Sequence, residues 1–289
     1  MSIAVAVKVN DGLVLASDST VVIRGSSAGQ PSSVLKTYDH GRKLADIKDY
    51  PIGTLTWGIS TIGSRTIESL ISEYEFTLPS ATHPEARGFK VRDIAENLKT
   101  FLRQRYETEQ GPLVPQAASR MPSLGILVSG YSDGAYFPEQ YLFDFPMMPE
   151  LQPRHPNKAN GEPEFGVDWF GQNDTITRLI KGADPRLAVA LAERLKMPSE
   201  EIWRLLSQFE YRVALEGMPL QDAIDLAVYL VETTIGRHRF VMGAPFCGGE
   251  IDVAVITPQG FTWVSRKVWH AGRPRKSYGS DEGCSSQMV

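Results

Sequence analysis

Residues 3–9 read Ile-Ala-Val-Ala-Val-Lys-Val, with a β-branched side chain at every second position. That period-two pattern predicts a strand. Asn10-Asp11-Gly12 is a turn signal, and Leu13 to Asp18 continues as a partner strand, so a hairpin opens the chain. Terminal residues usually fray. Here the pattern instead predicts order from the second or third residue and places Ser2 at a sheet edge.

The next segments alternate in the same way. Val21 to Ile23 is a short apolar stretch leading into a loop at 25–33. Lys43 to Ile47 and Gly53 to Ser60 form a second hairpin around Asp49-Tyr50-Pro51. The period then changes. Ile67, Leu70, Ile71 and Tyr74 recur at helical spacing, as do Val91, Ile94, Leu98, Phe101 and Leu102. Leu124 to Val128 and Tyr141 to Phe145 return to strand. Prolines at 146, 149, 153, 156 and 163 predict an irregular excursion rather than sheet. Val167 to Phe170 is a short strand, and residues 175–236 are helical with breaks at 184–185, 198–199 and 217–219. Ile251 to Ile256 and Phe261 to Val264 close the pattern. Strands, then helices, then strands predict two sheets between helical layers. One domain over 1–270 is expected, with extra material near 146–163 and 184–215 and a disordered tail over 271–289.

Composition excludes several classes. With 42% hydrophobic and 22% charged residues, the 289-residue chain is not intrinsically disordered. A net charge of −4 argues against a nucleic-acid binder, and the one basic cluster, Arg266 to Lys276, is short. The two cysteines, Cys247 and Cys284, cannot make a disulfide framework, so a reducing compartment is expected. No apolar run approaches the roughly 18–20 residues of a membrane span, and residues 1–9 lack a signal peptide's basic start. A cytoplasmic protein with no membrane or nucleic-acid partner is the expectation.

Few familiar motifs survive inspection. A phosphate-cradling GxxxxGK[ST] is missing, and the five histidines show no metal-binding spacing, so no metal and no cofactor are expected. Gly25-Ser26-Ser27-Ala28-Gly29 matches G-x-S-x-G, but it runs into a loop where a nucleophile elbow needs a helix. Ser2 is the better candidate. Freed of Met1, it would carry a hydroxyl and an α-amine whose ordinary pKa of about 7.7–8.0 suits a general base. One residue would then supply both nucleophile and base. Met-Ser is also simply a common start, and the N-terminus alone favours that plain explanation.

Leu15-Ala16-Ser17-Asp18, Gly41-Arg42-Lys43-Leu44, Leu55 to Ser60 and Gly248-Gly249 before Ile251 to Ile256 change that balance. Together they resemble the β-subunits of the proteasome family, which are N-terminal-nucleophile (Ntn) hydrolases. The resemblance covers most of 2–264. It implies an α+β fold, a four-layer αββα sandwich, with Ser2 as nucleophile, Asp18 and Lys43 as its charged partners and Gly58 at the oxyanion hole. It further implies extended peptide or unfolded-protein substrates lying between Thr20 to Ile23 and Gly58 to Ser60. Val21, Val22, Thr56 and Ser60 would bind substrate, and Lys36 is a further candidate for the pocket wall. A homo-oligomeric ring follows by the same resemblance, and an ATP-dependent partner is left open.

The chain departs from the family pattern at several points. Serine replaces threonine at the nucleophile. Gln172 stands at one supporting serine and Cys247 at the other, while the supporting aspartate falls near Ala244, where no acid is present. Asp168 or Asp174 could supply a carboxylate instead. Two other functions therefore stay open: a non-catalytic ring subunit and a small-amide Ntn amidohydrolase. Met147, Met148 and Trp203, in the extra segments, could serve subunit contacts or the core.

Overall fold

The computed structural model describes residues 2–25, 33–81, 83–243 and 245–269. The chain opens with strands β1 (Ile3–Val9), β2 (Gly12–Ser17), β3 (Val21–Gly25), β4 (Ser33–Tyr38), β5 (Leu44–Asp46), β6 (Ile52–Gly58), β7 (Thr61–Ile62) and β8 (Arg65–Thr66). Helices α1 (Ile67–Glu75), α2 (Val91–Gln110) and α3 (Pro115–Ala118) follow, then β9 (Leu124–Gly130), β10 (Glu139–Phe145), β11 (Met148–Pro153) and β12 (Gly166–Gly171). Helices α4 (Asp174–Lys181), α5 (Pro185–Leu195), α6 (Ser199–Leu206) and α7 (Leu220–Phe240) precede the closing pair, β13 (Asp252–Thr257) and β14 (Gly260–Ser265).

Two five-stranded antiparallel sheets carry the architecture, in the orders β12-β1-β2-β13-β14 and β11-β10-β9-β6-β5. Alternation along β1 explains how they stack. Ile3, Val5, Val7 and Val9 project into one apolar cluster with Ala223, Ala227, Leu230 and Val231 of α7 and Ile176 and Ile180 of α4. Ala4 and Ala6 point the other way, into a cluster with Leu55 and Trp57 of β6 and Leu127 of β9. Small residues on that face let the sheets approach while Trp57 fills the gap. The opposite face of the second sheet, through Ile52, Ile126, Val128 and Phe143, packs on Leu70 of α1 and on Leu98 and Leu102 of α2. Each such side chain contributes about 1.5–3 kcal/mol by leaving water. Because both faces of β1 are covered, its alternation is of large and small residues rather than apolar and polar.

Local signals set the helix starts. The Thr66 hydroxyl accepts from the Ser69 N–H and begins α1, and the Asp184 carboxylate accepts from the Arg186 N–H with Pro185 in the first turn of α5. Among the described residues no helix is long and apolar enough to cross a membrane.

Several expectations need correction. The proline-rich excursion is not irregular throughout, because 148–153 pairs with β10 as an outer strand, where Pro149 and Pro153 are tolerated. Residues 33–38 form a strand, β4, paired with β3, which alternation alone did not reveal. Trp203 packs against a small cluster of Ala188, Ala192 and Ile202, and Met148 packs against the layer between the sheets, whereas Met147 is exposed. Residues 26–29 of the G-x-S-x-G match, Ala244 and the tail from 270 onward lie outside the described residues.

Lys8 is the exception in β1. Its side chain points between the sheets and its ammonium donates to the His155 carbonyl O at 2.8 Å and to Asn157 Oδ1 at 3.4 Å. Burial lowers its pKa from 10.5 to about 8, with Glu164 and Glu139 opposing. The unfolded chain therefore binds the proton more tightly, and the contribution to stability is full above 10.5 and lost as pH falls through 8. Relative to Lys8→Met, the wild-type unfolding free energy should rise by about 3 kcal/mol between pH 8 and 10.5, measured by urea denaturation.

Candidate active site

The first sheet brings the start of β1 between two strand ends. Ile3 pairs with Gly171 at the end of β12, and Ala4 pairs with Ser17 at the end of β2. Ser2, 4% exposed, is thereby fixed: its carbonyl accepts from the Gln172 N–H at 2.7 Å. Gly171 makes this approach feasible. It has φ +84°, and a Cβ there would run into the Ser2 carbonyl oxygen.

Asp18 follows directly on β2 and is fully buried. Its Oδ1 accepts from the Ile3 N–H at 3.0 Å and from Lys43 Nζ at 2.6 Å. Its Oδ2 accepts from the Gly248 N–H at 3.0 Å and the Thr20 N–H at 3.3 Å. One carboxylate thus ties together β1, the chain before β5, and the segment leading into β13. A buried charge is tolerable only with such complete pairing.

Lys43 is held at its backbone as well, since its carbonyl accepts from the Thr56 N–H at 2.8 Å and the Thr56 hydroxyl at 3.3 Å. Burial pushes the ammonium below its ordinary value, and Asp18 opposes that shift by charge and hydrogen bond. Because Lys43 Nζ and the Ile3 N–H meet on the same carboxylate oxygen, the ammonium lies beside the start of β1.

Ser2 and Lys43 open into one cavity of about 440 Å³, whose walls include Val21, Val22, Thr56, Gly58 and Ser60. Thr20 to Ile23 line one side and Gly58 to Ser60 the other. Gly58 has φ +95°, and a Cβ on it would strike the Ser123 carbonyl, so the turn at the end of β6 admits little but glycine. A second hollow, shared by Gly58, Gly171 and Gln172, adjoins it, with Trp57 stacked on Phe170 at 4.2 Å and 6°. Nearby, Cys247 is buried, and its thiol is pushed up by burial, then by the charges of Asp18 and Asp174, with Lys43 opposing.

This structure is similar to that of a mutant form of Anbu from Hyphomicrobium sp. strain MC1, with a TM-score of 0.51 over 92% of this chain and 86% of that one. The fold is proteasome-like. At 15% sequence identity the likeness speaks for the fold alone. No family model matches the sequence, and no curated protein matches it.

The geometry gathers Ser2, Asp18, Lys43, Gly58, Gln172 and Cys247 with the pocket residues. It does not gather every candidate. Lys36 stands exposed on β4, its ammonium 5.7 Å from the Tyr38 ring centre, instead of forming the cavity wall. Asp168 is engaged elsewhere, by the Arg154 guanidinium and by His155 Nε2 at 3.1 Å. Asp174 Oδ2 pairs with Arg237 at 2.5 Å, while its Oδ1 is buried with no hydrogen-bond partner among the described residues. Two site-adjacent residues escaped the sequence reading, Asp252 and Lys267. The first is an acid in an otherwise apolar strand, a readable signal. The second lies within the basic cluster Arg266 to Lys276, where nothing in the sequence sets it apart.

Proposed function

We propose that this chain is a proteasome-like Ntn hydrolase that cleaves amide bonds through an acyl-enzyme on Ser2. The reading takes the two sheets and their flanking helices as the four-layer αββα sandwich of that class. The observation that carries it is the shared oxygen of Asp18, which joins the Lys43 ammonium to the first strand immediately after Ser2.

Once Met1 is removed, the Ser2 α-amine takes the proton of its own hydroxyl as Oγ attacks the substrate carbonyl carbon. The Lys43 cation lowers the cost of the forming alkoxide, and Asp18 holds that cation in place. The backbone N–H of Gly58 stabilises the oxyanion. The protonated amine then gives its proton to the leaving nitrogen, the C–N bond breaks, and water hydrolyses the remaining ester. Asp174, with an oxygen unpartnered among the described residues, supplies the supporting carboxylate that position 244 lacks, alongside Gln172 and Cys247. The substrate is an extended peptide or unfolded protein that adds a strand between Thr20 to Ile23 and Gly58 to Ser60, contacting Val21, Val22, Thr56 and Ser60. A homo-oligomeric ring enclosing these clefts completes the proposal.

Incubation of the purified protein with an electrophilic peptide probe tests it. One adduct is expected, on a peptide whose first residue is Ser2, and it is lost in Ser2→Ala without a change in melting temperature. Labelling that persists in Ser2→Ala places the nucleophile elsewhere. A retained Met1 with no adduct leaves a non-catalytic ring subunit as the better reading.

A further inference from the structure

A second buried ion pair lies behind the first and has no part in the reaction proposed above. The side chains of Asp252, at the start of β13, and Lys267, just past β14, are each 1% exposed and paired with one another. The Lys267 N–H also donates to Asp252 Oδ1 at 2.9 Å. Asp252 sits opposite Ser17 in the ladder, next to Asp18. The Lys267 ammonium donates in addition to the Gly41 carbonyl O at 2.9 Å, two residues before Lys43. Gly41 is held from its other side as well, its N–H donating to the Ser19 carbonyl at 2.8 Å. Val21 packs so closely there that a Cβ on Gly41 would overlap it. A buried pair of this kind adds little stability over apolar residues of equal volume. What it does add is fixed geometry and fixed charge.

We infer that the Lys267–Asp252 pair is a positioning device for Lys43, clamping the segment at Gly41 onto β2 and β13 and setting the charge against which the Lys43 ammonium works. Lys43 is faced by Asp18 from the end of β2, by Cys247 from the segment before β13 and by Lys267 from beyond β14, with Asp252 behind Lys267. Of these, Lys267 favours loss of the Lys43 proton and Asp18 opposes it, while burial keeps the Cys247 thiol uncharged. The catalytic part of this inference rests on the hydrolase reading; the placement of Lys43 does not.

The test uses the full chain with lysine labelled at 13Cε, the Lys43 resonance being assigned by its loss in Lys43→Arg. In Lys267→Met a like charge disappears and Asp252 is left unpaired, so the Lys43 titration midpoint should rise by about one pH unit. In Asp252→Asn the Lys267 charge loses its partner, and the midpoint should fall by about as much. The rate of Ser2 labelling should drop roughly tenfold in both, with the half-saturating probe concentration little changed. Should either variant fail to fold, Lys267→Met/Asp252→Leu removes both charges together. Its midpoint should stay near the wild-type value while labelling remains slow, because Gly41 has lost its clamp. Midpoints in the single variants that do not move or that move in the same direction, or wild-type labelling in the double variant, overturn the inference and reduce the pair to a strut. A wild-type protein that takes no label at Ser2 defeats the hydrolase reading alone, and the titration still decides the placement of Lys43.

Discussion

Asp18→Ala should lower the unfolding free energy by about 3–5 kcal/mol, and labelling at Ser2 should vanish with it. The size follows from what the carboxylate holds. Its removal leaves the Lys43 ammonium, only 6% exposed, without an anion, and takes the carboxylate from the N–H groups of Ile3 and Gly248, while the Thr20 N–H keeps the Gly248 carbonyl at 3.0 Å. A cation in that position either loses its proton or draws in water, and both outcomes undo the site. Lys43→Met in the same background should restore part of the loss, since the stranded charge goes with it. Urea denaturation of the single and double variants reads this directly. A loss below about 1 kcal/mol in Asp18→Ala would mean that the pair is solvated in solution.

The second large effect is expected from Gly171→Ala. Gly171 adopts φ +84°, where an L side chain is strained, and its Cβ would enter the Ser2 carbonyl oxygen. Strain of this type costs of order 1–3 kcal/mol, and displacing the start of β1 adds to it, so about 3 kcal/mol in total is expected. The hydrogen bond from Gln172 to Ser2 breaks, and labelling should fall by a factor on the order of 100, since small displacements of a nucleophile are that costly. Gly134→Ala is the control. It has φ +70° but open space around it, so it should show backbone strain alone and full labelling. Equal losses in the two variants would mean that crowding against Ser2 plays no part.

Much of this arrangement was legible from residue order. The large-small alternation of Ile3 to Val9, the helical spacing of Ile67 to Tyr74 and the turn at Asn10-Asp11-Gly12 are local signals, and the elements formed where those signals lie. Ser2 could be singled out from its place before the first strand, and Asp18, Lys43 and Gly58 only through the resemblance of the segments around them to proteasome β-subunits. The second strand of the β3–β4 hairpin was not legible, because its apolar side chains Leu35 and Tyr38 are exposed and follow no buried stripe. Nor was β11, where the prolines that argue against a central strand are harmless at an outer position.

Sequence by itself marked most of the strands and helices, β4 and β11 excepted, because backbone propensity and side-chain period act over a few residues. Only the tertiary structure decided which charges meet. It sent Asp168 to Arg154, left an Asp174 oxygen without a partner among the described residues, and buried Lys267 against Asp252. The choice between such partners depends on which atoms lose water together, and that is set by the packing of the two sheets, across more than two hundred residues of chain for Gly41 and the cation that clamps it.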